Sequence, residues 1–263
     1  MKLSARHLTL SYGSRAIIRD VSIDVDSGEM VSIIGPNGSG KSTLLRGLSR
    51  LHRPTSGSVC LGDQDIRSIG ARDVARSLAI LPQSPTGGTD LTVRELVWRG
   101  RYPHQGILQR ASKPDYAAVE WAMAASDVDA LAERPLANLS GGERQRAWIA
   151  LALAQQPRVL LLDEPTSFLD IQHQIEVMDL LARLNSEGMT VITVLHDLVL
   201  AARYAQRVVA ISEGTVAFDG PPRDVLTAEA LERVFKVPMI VLTDPDAGMP
   251  IPLPGYPPRI APA

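Results

Sequence analysis

Gly35-Pro36-Asn37-Gly38-Ser39-Gly40-Lys41-Ser42 constrains this chain more than any other stretch. It fits G-x-x-x-x-G-K-[ST], the spacing of a phosphate-binding loop. Its flanks agree. Met30–Ile34 ahead of it is short, apolar and β-branched, the pattern of a buried strand. Thr43–Leu48 behind it reads as the start of a helix. Glycines let the backbone curl until successive N–H groups point inward. Those donors and the helix N-terminus form a cradle for phosphate oxygens. In such a loop Lys41 reaches the β- and γ-phosphates, and the Ser42 hydroxyl holds Mg²⁺. A Gly-rich turn can match the spacing by chance, but a strand before it and a helix after it argue against that. The motif specifies nucleotide phosphates and leaves kinases, GTPases, helicases and transport ATPases open.

Composition narrows the class. The apolar fraction of 45% is enough for a proper core in 263 residues, as one large domain or two small ones. A formal charge of −2 gives no basic field for nucleic acid. The single cysteine, Cys60, rules out an internal disulfide and fits a reducing compartment, as a half-buried strand residue. Met1–His7 lacks the apolar core of a signal peptide. The longest apolar run, Ala147–Ala154, falls far short of the roughly 20 residues of a membrane span. A chain that is cytosolic and soluble by itself is expected. His7, His52, His104, His173 and His196 show no metal-ligand spacing.

Taken in order, Leu3–Tyr12 alternates, with Leu8, Leu10 and Tyr12 on one face, and Ile17–Val25 alternates too. Both predict an antiparallel flank laid on a parallel core. Tyr12 has two readings, an adenine-stacking aromatic near the phosphate loop or a ring packed on the sheet. Leu78–Pro82 is a further buried strand. Gln83 just past its end is placed to touch the metal or a water, because ligands of α/β sheets bind at the carboxyl ends of strands. From Thr92 the texture becomes helical, over Val93–Arg101 and over Ser112–Ser126 with Ser112 as N-cap. Gly87-Gly88 and Pro103–Gly106 read as flexible joints.

Leu139-Ser140-Gly141-Gly142-Glu143 contains a capping box, Ser140 with Glu143. Two glycines in a helix's first turn cost about 1 kcal/mol each relative to alanine. Close approach of a phosphate to that helix N-terminus would explain both. Val159–Leu162 is a buried parallel strand ending in Asp163 and Glu164. Asp163 is placed to bind Mg²⁺ and Glu164 to polarise an attacking water. Asp170 is a further carboxylate in the following connection. His196 ends the strand Thr190–Leu195, and Asp197 caps the helix Leu198–Tyr204. Val208–Ile211 and Thr215–Phe218 form a hairpin, Ala228–Phe235 a last helix, and the proline-rich stretch from Asp244 an extended, weakly packed tail.

With these motifs in this order, the chain resembles the nucleotide-binding subunit of ATP-binding cassette (ABC) transporters, from Leu3 to about Asp246. Tyr12 matches the adenine-stacking aromatic, Gly35–Ser42 (with Thr43 following) Walker A, and Gln83 the Q-loop. Leu139–Glu143 matches the LSGGQ signature, with Glu143 where glutamine is commoner. Val159–Glu164 matches Walker B and its catalytic glutamate, and His196 the switch histidine. Ser167–Asp170 matches the D-loop, with Phe168 in place of the commoner alanine. The resemblance implies an α/β P-loop NTPase core with a mixed, mainly parallel sheet and an antiparallel β flank. It divides the chain into one ATPase domain over 1–243, with the core in 1–90 and 139–243, a helical subdomain in 91–138 and a tail in 244–263. ATP and Mg²⁺ are the implied cofactors. Ser140, Gly141 and Gly142 of one copy would grip the γ-phosphate held by Lys41 of another, in a head-to-tail homodimer.

Trp98–His104, Arg146–Ala150, Leu169–Gln174, Leu195–Leu198 and Asp244–Pro250 resemble the iron(III)-siderophore importer branch, which also covers haem and cobalamin. That branch implies an integral-membrane permease, a separate substrate-binding protein outside, and a place on the cytoplasmic face of the membrane. His104 and His173 are read as surface or interface residues, not iron ligands. A soluble ABC ATPase unlinked to transport is the rival within the superfamily; a Walker A kinase, which has no use for Leu139–Glu143, is the rival of another class.

Overall fold

Three strands, β3 (Met30–Ile34), β7 (Val159–Asp163) and β8 (Thr190–Val194), are buried at every position, which is why each is mostly apolar, with Ser32 and Thr193 pairing their hydroxyls at 3.0 Å. The computed structural model, which describes residues 1–83, 90–106 and 111–255, places them at the centre of a six-stranded sheet. Its order is β10-β9-β3-β8-β7-β6, with β6 (Leu78–Leu81), β9 (Arg207–Ser212) and β10 (Thr215–Gly220). Every neighbouring pair is parallel except β9 with β10, the expected hairpin.

The antiparallel flank is a sheet of its own. β2 (Arg15–Val25), β1 (Leu3–Tyr12), β4 (Ser56–Leu61) and the short β5 (Gln64–Asp65) pair in that order. Helix α1 (Lys41–Leu48) joins the two sheets. Its Leu44, Leu45 and Leu48 share one buried cluster with Leu8 and Leu10 of β1 and with Ile33 and Leu161 of the parallel sheet. The phosphate loop is thus held by apolar packing on both sides of the helix it opens.

α2 (Ala71–Ser77) leads into β6. Among the described residues between Leu91 and Ala137 the ordered elements are helical, with a lone bridge between Thr92 and Pro135. α3 (Val93–Trp98) is capped by Thr92 and Glu95, and α4 (Lys113–Ala125) by Ser112 and Asp115. The helix expected through Arg101 ends at Trp98, and Arg99–His104 winds more tightly, as a 3-10 turn that contains Pro103. Of the expected joints, 103–104 belong to that turn, and Gly87-Gly88 lies outside the described residues. α5 (Gly141–Ala154) packs on α3 and α4 and also on β6 and α6 (Ile171–Ser186), so it bridges the helical layer and the core.

α7 (Leu198–Tyr204) carries the expected cap, the Asp197 carboxylate accepting from Val199 and Leu200 N–H. α8 (Pro222–Val225) and α9 (Ala228–Phe235) follow β10. The tail departs from its expectation. β11 (Met239–Thr243) pairs antiparallel with β12 (Pro250–Pro254), and the boundary drawn at 243/244 falls in the turn between them. Prolines 250, 252 and 254 are two apart, so their missing donors all face the same edge, leaving the N–H groups of Ile251 and Leu253 for pairing. β12 also packs on α7. Among the described residues no helix is long and apolar enough to cross a membrane.

One buried charge ties the helical layer together. Arg101 and Asp115 side chains are 3% and 8% exposed, with Arg101 Nε donating to Asp115 Oδ1 at 3.0 Å. Arg101 Nη1 also donates to the Ala154 carbonyl at the end of α5 (2.6 Å), where the helix dipole favours a cation. Burial pushes the Asp115 carboxyl up, but hydrogen bonds from Ser112 and Arg101 outweigh it and hold the group below the ordinary carboxylate range. A carboxyl lowered on folding contributes stability above its unfolded value, lost as pH falls through the folded one. Arg101→Ala leaves Asp115 buried without its cation and is expected to cost about 3–5 kcal/mol. A urea melt checks this; a midpoint equal to wild type would show that the pair contributes nothing.

Candidate nucleotide site

The parallel register brings four connections to one sheet edge. Leu81 stands opposite Leu162, and Asp163 opposite Val194, so the loops after β6, β7 and β8 leave side by side. They carry Gln83, Glu164 and His196. The phosphate loop leaves β3 at the same edge.

The loop is shaped by close approach. A Cβ on Gly35 would lie 2.1 Å from the Ile211 carbonyl oxygen, and its φ of 145° suits only glycine. Lys41 is buried, and its Nζ donates to the Gly35 and Pro36 carbonyls at 2.9 and 3.0 Å. Burial lowers its pKa, opposed by the charges of Glu164 and Asp163. Ser39 Oγ is buried in the loop without a hydrogen-bond partner. A buried orphan hydroxyl costs free energy, and a phosphate oxygen in the cradle would satisfy it. The residues present therefore fit a nucleotide phosphate.

Ser42 Oγ donates to Asp163 Oδ1 at 2.9 Å. Burial raises the Asp163 pKa, partly offset by that bond. Two adjoining hard oxygen donors fit a divalent cation that takes its remaining ligands from phosphate and water. Among the described residues no cluster of three His, Cys, Asp or Glu side chains could hold a metal without such help.

Glu164 sits at φ 53°, in the left-handed region, at the head of the loop after β7. Its Oε1 lies 2.5 Å from His196 Nε2. Its Oε2 accepts from Gln83 Nε2 and, at 2.9 Å, from Ser167 Oγ. Gln83 thus engages the glutamate, not Asp163. Ser167 was not among the expected site residues; its spacing, a hydroxyl three residues past Glu164 in a short loop, is the signal that could have marked it.

Tyr12, Arg15, Ile17, Asn37, Gly38, Gly40, Lys41, Ser42, Thr43 and Glu164 line one cleft of about 350 Å³. Tyr12 lines the cleft and is 48% exposed, a place that fits the base-stacking reading. Arg15 and Ile17 were not expected there.

Ser140, Gly141, Gly142 and Asp170 do not line this cleft. Ser140 caps α5, with its Oγ accepting from Glu143 N–H at 3.2 Å and its own N–H donating to Glu143 Oε2 at 2.7 Å. Asp170 caps α6, its Oδ1 accepting from His173 N–H. Gly142 also has a reason for being glycine within this chain. A Cβ there would lie 2.0 Å from His173 Cδ2 and 2.9 Å from His173 Cβ, so this chain's own α6 demands the glycine. At Gly141 the nearest atom would be Leu169 Cδ2 at 3.5 Å, an ordinary contact. Gly142→Ala should therefore push His173 off Asp170 (Nδ1 to Oδ1, 2.6 Å) and cost about 1–3 kcal/mol. Gly141→Ala should cost less in the same denaturant melt; equal losses would contradict the contact.

The comparisons agree with this geometry. The family description "ABC transporter" matches residues 18–167. The chain is 46% identical over 254 residues to the ferric enterobactin transport ATP-binding protein FepC of Escherichia coli, covering 96% of this chain and 94% of that one. It is 44% identical over 250 residues to the iron(3+)-hydroxamate import ATP-binding protein FhuC of Bacillus subtilis, covering 95% and 93%. An inward-facing ABC transporter structure, described as of the metal-chelate type, superposes with a TM-score of 0.85 at 29% identity, covering 97% of both chains. Matched in this way along nearly its whole length, the chain belongs to the ABC transporter family, among its ATP-binding proteins.

Proposed function

We propose that this protein binds and hydrolyses ATP to power uptake of an iron(III)-siderophore complex through a separate membrane permease. The observation that carries the catalytic half is the environment of Glu164. One carboxylate meets His196, Gln83 and Ser167 beside a cleft that also holds Lys41 and Ser42. The likeness to siderophore importers supports the cargo.

Catalysis is positioning and charge stabilisation. Lys41 exchanges the Gly35 and Pro36 carbonyls for phosphate oxygens. Ser39 and the loop N–H groups hold the phosphates. Ser42 and Asp163 would hold Mg²⁺, which supplies positive charge against the β- and γ-phosphate oxygens. Glu164 polarises the attacking water and accepts its proton, and His196 Nε2–H, which faces that carboxylate in the free chain, turns to donate to the γ-phosphate when ATP is bound. Tyr12 stacks the adenine.

Ser140, Gly141 and Asp170 stand outside the cleft of their own chain, which supports a head-to-tail homodimer in which each copy completes the other's ATP site. On this reading the dimer sits on the cytoplasmic face of the membrane. Gln83 and the helical layer pass its opening and closing to the permease, and a substrate-binding protein delivers the cargo from outside.

Glu164→Gln should still bind ATP, hydrolyse it at least about 100-fold more slowly, and accumulate as an ATP-bound dimer. Phosphate release and size-exclusion chromatography read both, and near-normal turnover would refute the role. The cargo is tested by uptake of labelled ferric siderophores, haem and cobalamin in cells lacking the protein. Loss of ferric-siderophore uptake, restored by wild type and not by Glu164→Gln, is expected. Loss of haem or cobalamin uptake instead would keep the mechanism and replace the cargo.

A further inference from the structure

His52 belongs to none of the motifs above, yet it touches the cleft's aromatic wall. It lies in the turn that closes α1, the helix opened by Lys41. Ser49 Oγ donates to the Arg46 carbonyl at 3.0 Å, Arg50 N–H to Gly47 at 3.1 Å, and His52 N–H to Arg46 at 3.0 Å. Arg50 takes a φ of 66° to make the turn. The backbone of His52 is therefore fixed to the far end of the phosphate-loop helix.

The ring is fixed as well. His52 Nε2 lies 3.0 Å from the Ser11 carbonyl oxygen. A carbonyl only accepts, so Nε2 carries the proton. This hydrogen bond crosses from the end of α1 to the end of β1. The imidazole packs on the Tyr12 ring, with centroids 4.6 Å apart and planes tilted by 50°. Behind His52 is a hollow of about 310 Å³ shared with Arg50, Arg53 and Arg67, so its ring is not part of a filled core.

An exposed tyrosine gives up rotamer freedom when it stacks on a base, and that loss weakens binding unless the ring is already held. We infer that His52 is a positioning residue for base recognition: it holds the Tyr12 ring at a set distance from the phosphate loop, so that base and phosphates are gripped as one unit. The inference rests on the reading of Tyr12 as the base-stacking residue. An aromatic contact of this kind corresponds to roughly three- to tenfold in affinity.

The test uses calorimetry with two probes, ADP and pyrophosphate, the second having the phosphate linkage and no base. ATP hydrolysis is followed in parallel. His52→Ala is expected to weaken ADP about three- to tenfold, to leave pyrophosphate unaffected, and to raise KM for ATP by the same factor with kcat maintained. Tyr12→Ala should weaken ADP at least as much, and the double variant no further than Tyr12→Ala alone. His52→Phe, which keeps a ring, should recover most of the loss, and His52→Gln, which keeps a donor, little. Unaltered pyrophosphate binding also certifies that the variant is folded. The inference is overturned if Tyr12→Ala weakens ADP and His52→Ala does not, or if the two losses add. It is also overturned if pyrophosphate weakens in step with ADP, or if His52→Gln recovers as well as His52→Phe. If Tyr12→Ala itself leaves ADP binding intact, the stacking reading of Tyr12 falls first and the inference falls with it.

Discussion

Ser42 and Asp163 are 121 residues apart in sequence and joined by a 2.9 Å hydrogen bond. That bond fastens the first turn of α1 to the carboxyl end of β7. The two elements also share a buried apolar cluster through Leu44, Leu45 and Leu161, so the polar contact sits on a packed base. Everything else in the site is placed relative to it. Lys41 precedes Ser42 by one residue and Glu164 follows Asp163 by one. The β6–β7–β8 register then sets Gln83 and His196 on either side of Glu164. A one-residue slip in that register would move each of these side chains to the other face of the sheet.

The same logic separates what was legible in the sequence from what was not. β3, β7 and β8 were readable because strands covered on both faces are mostly apolar and β-branched. Asp197 and Ser112 were readable because capping is a local exchange between a side chain and the next few N–H groups. The detachment of the β1–β2 flank as its own sheet was not. It depends on α1 wedging between two layers, a contact among residues far apart in sequence. The packing at Gly142 was hidden for a similar reason. Its neighbour His173 is on another helix, so the steric demand for glycine there does not show in the local sequence. The β11–β12 pair was hidden by its prolines, which argue against a strand unless their spacing leaves one edge free to bond.

Arg101 shows a further limit. It ends the helix expected over Val93–Arg101, where nothing local marks an arginine for burial, yet its guanidinium is among the most buried charges of the described residues. It caps α5 from outside while pairing with the first turn of α4. The helical layer is thus fastened at Arg101 and bridged to the core by α5, the helix whose N-terminus bears Ser140 and Gly141. A layer fastened this way holds that N-terminus at a set place relative to α3 and α4.

The free cleft stores an electrostatic cost that its ligand removes. Burial depresses the Lys41 pKa and raises that of Asp163, in each case toward the neutral form. For a lysine lowered on folding, stability is lost as pH falls through the folded value; for a carboxyl raised on folding, it is lost as pH rises through the folded value. Between those two values both groups are charged and both oppose folding. On the proposed reading, phosphate oxygens beside Lys41 and a divalent cation beside Asp163 would reverse both penalties, and a phosphate oxygen would also satisfy Ser39 Oγ, which has no partner in the free chain. Each group that makes the free site costly therefore favours the bound state. On that reading, part of the binding free energy comes from relieving costs that the fold has already imposed, and a ligand that brings anion and cation together relieves both.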